Sequence, residues 1–371
     1  MNFQFKRIAV KVGSNVLTRN NGTLDVTRMS SLVDQIAALM KEGVEVILIS
    51  SGAVASGRSS LRPLKKLDSV DQRQLFSAVG QAKLINRYYD LFQDHNIPVG
   101  QILTTKESFS TRRHYLNQRN CMQVMLENGV LPIVNENDTV SVTELMFTDN
   151  DELSGMIASM MGVDALVILS NIDGVFDGPP SLPESKLIRK VERGRDLSDY
   201  IQTEKSGFGR GGMLTKSSIA RKVADEGIVV FIANGRKDNI LTDLIHTPDK
   251  VDCTCFIPSE TLVPAVKKWV AHSDGFAKGE LWLQEKAVEA LRGPKAVSLL
   301  PVGIMSVVGT FEKDDIVNAG NYLVVASVAG NNNYVAATSV EKSFTIKKAV
   351  VSRPVLNSDS FEFNGQLIKP T

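Results

Sequence analysis

Six short apolar runs punctuate the first two thirds of the chain, at residues 7–12, 44–49, 99–103, 130–134, 165–169 and 228–232. They are strand-length and largely unbroken by polar alternation, the pattern of strands buried on both faces of a parallel sheet. Helical periods fill the gaps. In residues 27–42, for example, Met29, Leu32, Val33, Ile36, Leu39 and Met40 share one side, and Gly43 supplies a stop. The pattern predicts an α/β fold, a parallel sheet sandwiched by helices, which binds ligands beyond the carboxyl ends of its strands. Five of the six runs end there in small or polar residues: Gly13-Ser14, Ser50-Ser51-Gly52, Asn135-Glu136-Asn137-Asp138, Ser170-Asn171 and Asn234-Gly235. Turn residues also collect at strand ends for conformational reasons alone.

Within this frame the stretch Ser206 to Lys216 is exceptional for its glycines, Gly207, Gly209, Gly211 and Gly212. A loop without side chains lets backbone N–H groups approach a ligand closely. A helical period over 215–226 follows it, so the loop leads into a helix N-terminus suited to an anion, with Lys216 beside it. That lysine is expected to be exposed at the loop end. An ordinary surface loop closed by an ordinary helix fits the same residues. A Walker loop does not, because Met213, Leu214 and Thr215 separate Gly212 from the lysine, and a dinucleotide fingerprint belongs near the first strand.

Composition changes this picture little. At 371 residues the chain exceeds one core and suggests two domains; 22% charged residues and a net charge of +1 give no sign of a nucleic-acid or membrane partner. The three cysteines, Cys121, Cys253 and Cys255, are odd in number, and Cys-Thr-Cys is too short for a zinc site, so reduced thiols and a cytosolic setting are expected. No apolar run reaches the length of a membrane span. The four histidines are scattered, without ligand spacing or a hydrolase triad. Two acidic clusters stand out: Asn135 to Asp138, and Thr148-Asp149-Asn150-Asp151. The second is suited either to capping a helix or to orienting a cationic substrate group or Mg2+.

These motifs also carry a resemblance. Lys11-Val12-Gly13-Ser14-Asn15-Val16-Leu17, Ser50-Ser51-Gly52-Ala53, Ala78-Val79-Gly80-Gln81, Val134-Asn135-Glu136-Asn137-Asp138, Asp149-Asn150-Asp151 and Gly209-Arg210-Gly211-Gly212-Met213-Leu214-Thr215-Lys216 stand in the order seen in the amino acid kinase family, which the chain resembles to about Pro258. The resemblance implies an amino acid kinase-like αβα sandwich with a mainly parallel sheet. The implied reaction is ATP-dependent phosphorylation of the side-chain carboxylate of L-glutamate to L-glutamyl 5-phosphate, the first step of proline biosynthesis. It assigns Lys11 and Lys216 to the migrating phosphoryl group, Ser51, Asp138 and Asn150 to glutamate, and Asp149 and Asp151 to shaping that pocket. ATP with Mg2+ would be held by Lys11, Gly13, Ser170, Asn171 and the loop Gly209, Arg210, Gly211, Gly212, Met213, Leu214, Thr215 and Lys216. Proline as feedback inhibitor and a homo-oligomer, dimer or tetramer, are implied as well. Asn171 departs from the Thr-Asp usual in the family, and Asp173 is a candidate to replace the lost carboxylate.

Beyond Pro258 the character changes. Residues 259–274 suggest a helical linker with Trp269, and 275–371 turn to short valine-rich strands with one helix at 285–291. This part resembles a PUA domain, a small β fold known from RNA-modifying enzymes, although Phe311-Glu312-Lys313-Asp314-Asp315 lacks the usual turn glycine. The expected division is 1–258, 259–274 and 275–371. From Gly275 onwards ten Lys or Arg face nine Asp or Glu, without the basic stripe that RNA contacts demand, so RNA as a partner is doubtful. Two other readings remain open: a kinase of another small acid, and an RNA-associated regulator with an idle kinase fold.

Overall fold

The fold was obtained as a computed structural model, which describes residues 4–141, 147, 149–194, 197, 212–260, 263, 268–270, 272, 276–292, 299–312 and 315–319, together with five strands beyond residue 320. The chain divides into two compact units, Met1–Glu107 with Gln118–Ala265, and Ser108–Asn117 with Val266–Thr371.

The first unit is built on an eight-stranded sheet. Its strands are β1 (Arg7–Val12), β2 (Glu45–Ser50), β3 (Val99–Thr104), β4 (Leu131–Glu136), β5 (Ala165–Ser170), β6 (Lys190–Val191), β7 (Val229–Asn234) and β8 (Cys253–Phe256). They lie in the order β3-β4-β2-β1-β5-β7-β8-β6. The six apolar runs of the sequence are the first six of that order, and every pairing among them is parallel. The antiparallel β8 on β7 was not anticipated, because its four residues, Cys-Thr-Cys-Phe, carry no periodic signal. Its two cysteines are buried, and burial pushes their thiols up to about 11 for Cys253 and about 12 for Cys255.

Helices α1 (Ser14–Leu17), α2 (Val26–Lys41), α3 (Ala53–Ser60), α4 (Ser69–Gln93), α5 (Glu107–Ser110), α6 (Arg112–Glu127), α7 (Asn150–Met161), α8 (Met213–Asp225) and α9 (Ile240–His246) occupy the connections. α2 begins where the Asp25 carboxylate accepts the Arg28 N–H and buries the apolar stripe read from the sequence. α3 and α4 touch through backbone. A Cβ on Gly57 would fall 1.8 Å from the Phe76 carbonyl oxygen, and one on Gly80 1.8 Å from that of Ala53, so only glycine permits this crossing. That approach sets the position of the next residue, Gln81.

In the second unit, β9 (Gly279–Leu283), β10 (Ile304–Gly309), β11 (Ile316–Ala319) and β12 (Tyr322–Val325) form a sheet in the order β10-β9-β11-β12, packed around Leu281, Val307, Phe311 and Val317. A second sheet runs β13 (Ala336–Val340), β14 (Ser343–Lys347), β15 (Ser360–Phe363) and β16 (Ile368–Pro370), antiparallel throughout. In the run where the expected glycine is missing, buried Asp315 closes the turn by accepting the Glu312 N–H at 2.8 Å. Ser108–Asn117 belongs with this unit: the buried Trp269 indole N–H donates to the Phe109 carbonyl at 2.8 Å.

Candidate active site

The carboxyl ends of β1, β2, β4 and β5 open onto a cleft of about 450 Å³, whose lining includes Lys11, Gly13, Ser51, Asp138, Ser170 and Lys216. Lys11 belongs to β1 itself, so its ammonium is placed by the most central part of the sheet. Gly13 follows and donates its N–H to the Leu169 carbonyl at 3.1 Å; a Cβ there would crowd that oxygen at 3.2 Å.

Lys216 reaches the same place from the opposite side. α8 begins at Met213, two residues before the start expected from the sequence, with Gly212 as its N-cap, so Lys216 lies in the first turns and points inward. The expectation of an exposed lysine is overturned: its side chain is 12% exposed, because its Nζ lies 3.0 Å from Asp151 Oδ2. Lys11 Nζ lies 2.5 Å from Asp151 Oδ1, the other oxygen of the same carboxylate. Burial opposes ionisation of Asp151, but the charges of Lys11 and Lys216 and the hydrogen bonds they donate outweigh it, holding its pKa below the usual carboxylate range.

Asp149, two residues earlier, has the opposite fate. It caps α7, one oxygen accepting the N–H groups of Asp151 at 2.9 Å and Glu152 at 3.0 Å. The other oxygen is buried without a hydrogen-bond partner among the described residues. Burial, and then the negative charge of Asp151, push Asp149 up to about 6. Two carboxylates on one helix turn thus sit in environments that drive their protonation apart. The capping function weighed for this cluster is real for Asp149, while Asp151 is the counter-ion of the two lysines.

Asn150, between them, joins a polar network. Its amide donates to Ser51 Oγ at 2.9 Å and Asn135 Oδ1 at 3.1 Å, and Asn135 donates to Gln81 Oε1 at 2.8 Å. Ser51 and Asn150 are therefore brought together. Asp138 is buried and pairs with Arg73, whose Nε lies 3.1 Å from its Oδ1. Arg73 was not singled out from the sequence, since one arginine on the polar face of a long helix carries no pattern. Glu136 serves the scaffold: one of its oxygens accepts the Ser141 hydroxyl at 2.9 Å and the Phe147 N–H at 3.0 Å.

Ser170 ends β5, its hydroxyl 3.4 Å from Asn171 Oδ1. Asp173 accepts from Asn234 Nδ2 at 3.0 Å and from Lys237 Nζ at 3.1 Å. It is thus committed to the β7 side and does not line the cleft. Met213, Leu214 and Thr215 form the first turn of α8, whereas Gly209, Arg210 and Gly211 lie outside the described residues. No helix of the described residues is long and apolar enough to cross a membrane. No group of three His, Cys, Asp or Glu among them could hold a metal ion by itself.

Residues 6–234 match the model of the amino acid kinase family. A glutamate 5-kinase of Bacteroides thetaiotaomicron is 71% identical over 323 residues, 87% of this chain and 90% of the relative. A glutamate 5-kinase of Chlorobaculum tepidum is 49% identical over 315 residues, 84% of this chain and 86% of the relative. Among solved structures, a carbamate kinase from Giardia lamblia bound to AMP-PNP matches with a TM-score of 0.50 and 15% identity, covering 69% of this chain and 99% of that one; it supports the fold alone.

Proposed function

Because this chain belongs to the amino acid kinase family and, within it, to the glutamate 5-kinases, we propose that the Lys11–Asp151–Lys216 cluster carries its phosphoryl transfer. The overall reaction is ATP-dependent phosphorylation of the side-chain carboxylate of L-glutamate to L-glutamyl 5-phosphate, in proline biosynthesis.

The chemistry suits the residues present. A glutamate side chain, with a pKa of about 4.3, is already the nucleophile at neutral pH, so no general base is required. The transferring phosphoryl group spreads charge over its oxygens, and catalysis consists mainly of positioning and of cations aimed at that charge. Two lysines from distant parts of the chain, both against the oxygens of Asp151, are the single observation that carries this assignment. Asp151 holds the two ammonium groups together against their mutual repulsion. Ser51 and Asn150 hold glutamate, and Asp138 takes its ammonium. Gly13, Ser170, Asn171 and the segment from Gly209 to Lys216 take the nucleotide, the α8 N-terminus facing its phosphates. Mg2+ keeps most of its ligands from water and substrate phosphates and needs only one or two protein carboxylates. The oxygen of Asp149 that is buried without a partner among the described residues fits that need, and the ion would add positive charge at the phosphates.

Proline, a cyclised glutamate skeleton, competes for the pocket of Asp138 and Asn150, and the chain works as a homo-oligomer. Residues 1–258 carry the chemistry, 259–274 link, and 275–371 form a PUA-like appendage of regulatory or structural role. Free thiols and the use of ATP favour a cytoplasmic setting. Trapping the acyl phosphate with hydroxylamine across a panel of acids tests the assignment. L-glutamate should give the hydroxamate with ATP and Mg2+, whereas product from aspartate or an acetylated amino acid alone would reject it.

A further inference from the structure

Glutamate carries three charges, and the residues assigned above account for two of them. Its side-chain carboxylate meets the lysines and its ammonium meets Asp138. The α-carboxylate shares a carbon with that ammonium, so its partner has to be a donor directly beside the Asp138 carboxylate.

Among the described residues, the cationic side chains lining the cleft are Lys11, Arg58, Arg73 and Lys216. The two lysines are committed to Asp151. Arg58 is exposed, with its guanidinium 5.7 Å from the centre of the Phe76 ring. Arg73 alone among these four touches Asp138, at 3.1 Å, and its side chain is only 15% exposed. Its Nη2 donates to the Ser141 carbonyl at 2.5 Å, which fixes the plane of the guanidinium. Ser77 Oγ, at 3.4 Å from Asp138 Oδ2, supports the carboxylate from its other side. The adjoining acceptor and donor that an α-amino acid requires are therefore already assembled. A guanidinium presents its donors as a rigid planar fork, which lets it bridge a protein carboxylate and a second carboxylate from a ligand.

We propose that Arg73 is a specificity-determining residue that binds the α-carboxylate of the substrate beside the ammonium held by Asp138. The inference rests on the glutamate reading given above. It makes Arg73 and Asp138 separable: one reads the carboxylate of the α-carbon, the other its amine.

Two analogues isolate the charges. Glutarate keeps both carboxylates and lacks the ammonium, and 4-aminobutyrate keeps the ammonium and the side-chain carboxylate but lacks the α-carboxylate. Inhibition by each, up to the solubility limit, is measured in the full chain, in Arg73→Met and in Arg73→Lys. Loss of one charged hydrogen-bond partner predicts that Arg73→Met raises the KM for glutamate and the inhibition constant of glutarate by about 10- to 100-fold. kcat should fall far less, and inhibition by 4-aminobutyrate should be unchanged. Arg73→Lys, which keeps the charge without the fork, should be intermediate for glutamate and glutarate; it decides the matter alone if thermal melting shows that the methionine variant does not fold. Equal weakening of all three ligands, or weakening of 4-aminobutyrate only, means that Arg73 acts through Asp138 and overturns the proposal. A parent enzyme that forms no glutamyl hydroxamate overturns the glutamate reading itself, and this inference with it.

Discussion

Lys11 and Lys216 bind opposite oxygens of one buried carboxylate, so the two cations that the sequence places far apart are neighbours in space. Removing either leaves Asp151 with one partner, whereas removing both leaves a buried charge uncompensated. Lys216→Ala should therefore lower kcat about 10²- to 10³-fold, the usual effect of deleting one donor to a developing charge, with a modest loss of stability. The double variant Lys11→Ala/Lys216→Ala should be destabilised by about 3 kcal/mol or more. Adding Asp151→Asn to it should restore stability without restoring turnover. Steady-state kinetics and urea unfolding on the same preparations check the pattern; full activity of Lys216→Ala would remove the lysine from the mechanism.

Much of this architecture was legible from elementary patterns, and the gaps have identifiable causes. Apolar runs announced the parallel strands because burial on both faces leaves no room for polar residues. Lys11 and Asp151 stood in readable motifs at element ends. Their pairing depends on a crossing of β1, α7 and α8 that local periodicity does not encode. Lys216 was misjudged as exposed for the same reason: the loop before it suggested solvent, but the ion pair with Asp151 draws it inward. Arg73 was invisible because its importance comes from Asp138, on the chain that follows another strand. Strand β8, held between β7 and β6, escaped because four residues cannot establish a period.

Gly80 tests how the scaffold sets the site. Its substitution by alanine would drive a Cβ to within 1.8 Å of the Ala53 carbonyl, a backbone atom that cannot rotate away. Helices α3 and α4 must then separate, and Gln81 moves off Asn135. A loss of roughly 2–3 kcal/mol is expected by urea unfolding, with a raised KM for glutamate. Gly162→Ala is the control. It has a left-handed backbone at φ +59 but open space around its Cβ, so it should cost only about 1 kcal/mol and leave KM alone.

The cysteines offer a test of burial. Cys121 is exposed, whereas Cys253 and Cys255 lie in β8 with thiols pushed up to about 11 and about 12 by burial. Thiolate is the reactive form, so neither buried cysteine should be alkylated at neutral pH. Mass spectrometry after iodoacetamide treatment should find one modified cysteine in the native chain, at Cys121, and all three after denaturation. Rapid labelling of Cys253 in the native chain would mean that β8 detaches readily from β7.

Asp149 gives a pH dependence whose sign follows from its surroundings. Burial and the charge of Asp151 raise its carboxyl from 3.8 to about 6, so the folded protein holds this proton more tightly than the unfolded chain. Stability from this group is therefore present at low pH and declines as pH rises from about 4 through 6, the cost being complete above that window. Asparagine preserves the helix cap and carries no charge. Asp149→Asn should be more stable than the parent at pH 8, by roughly 1–3 kcal/mol. The advantage should shrink as pH falls through 6 and disappear near 4. Urea unfolding of both proteins at pH 8, 6 and 4.5 measures the difference directly; an advantage that grew towards acid pH would show that Asp149 is stabilised as an anion, contrary to the burial described here. Turnover of the same variant, followed at saturating ATP, should fall if the carboxylate also helps hold Mg2+, and raising the Mg2+ concentration should then recover part of it.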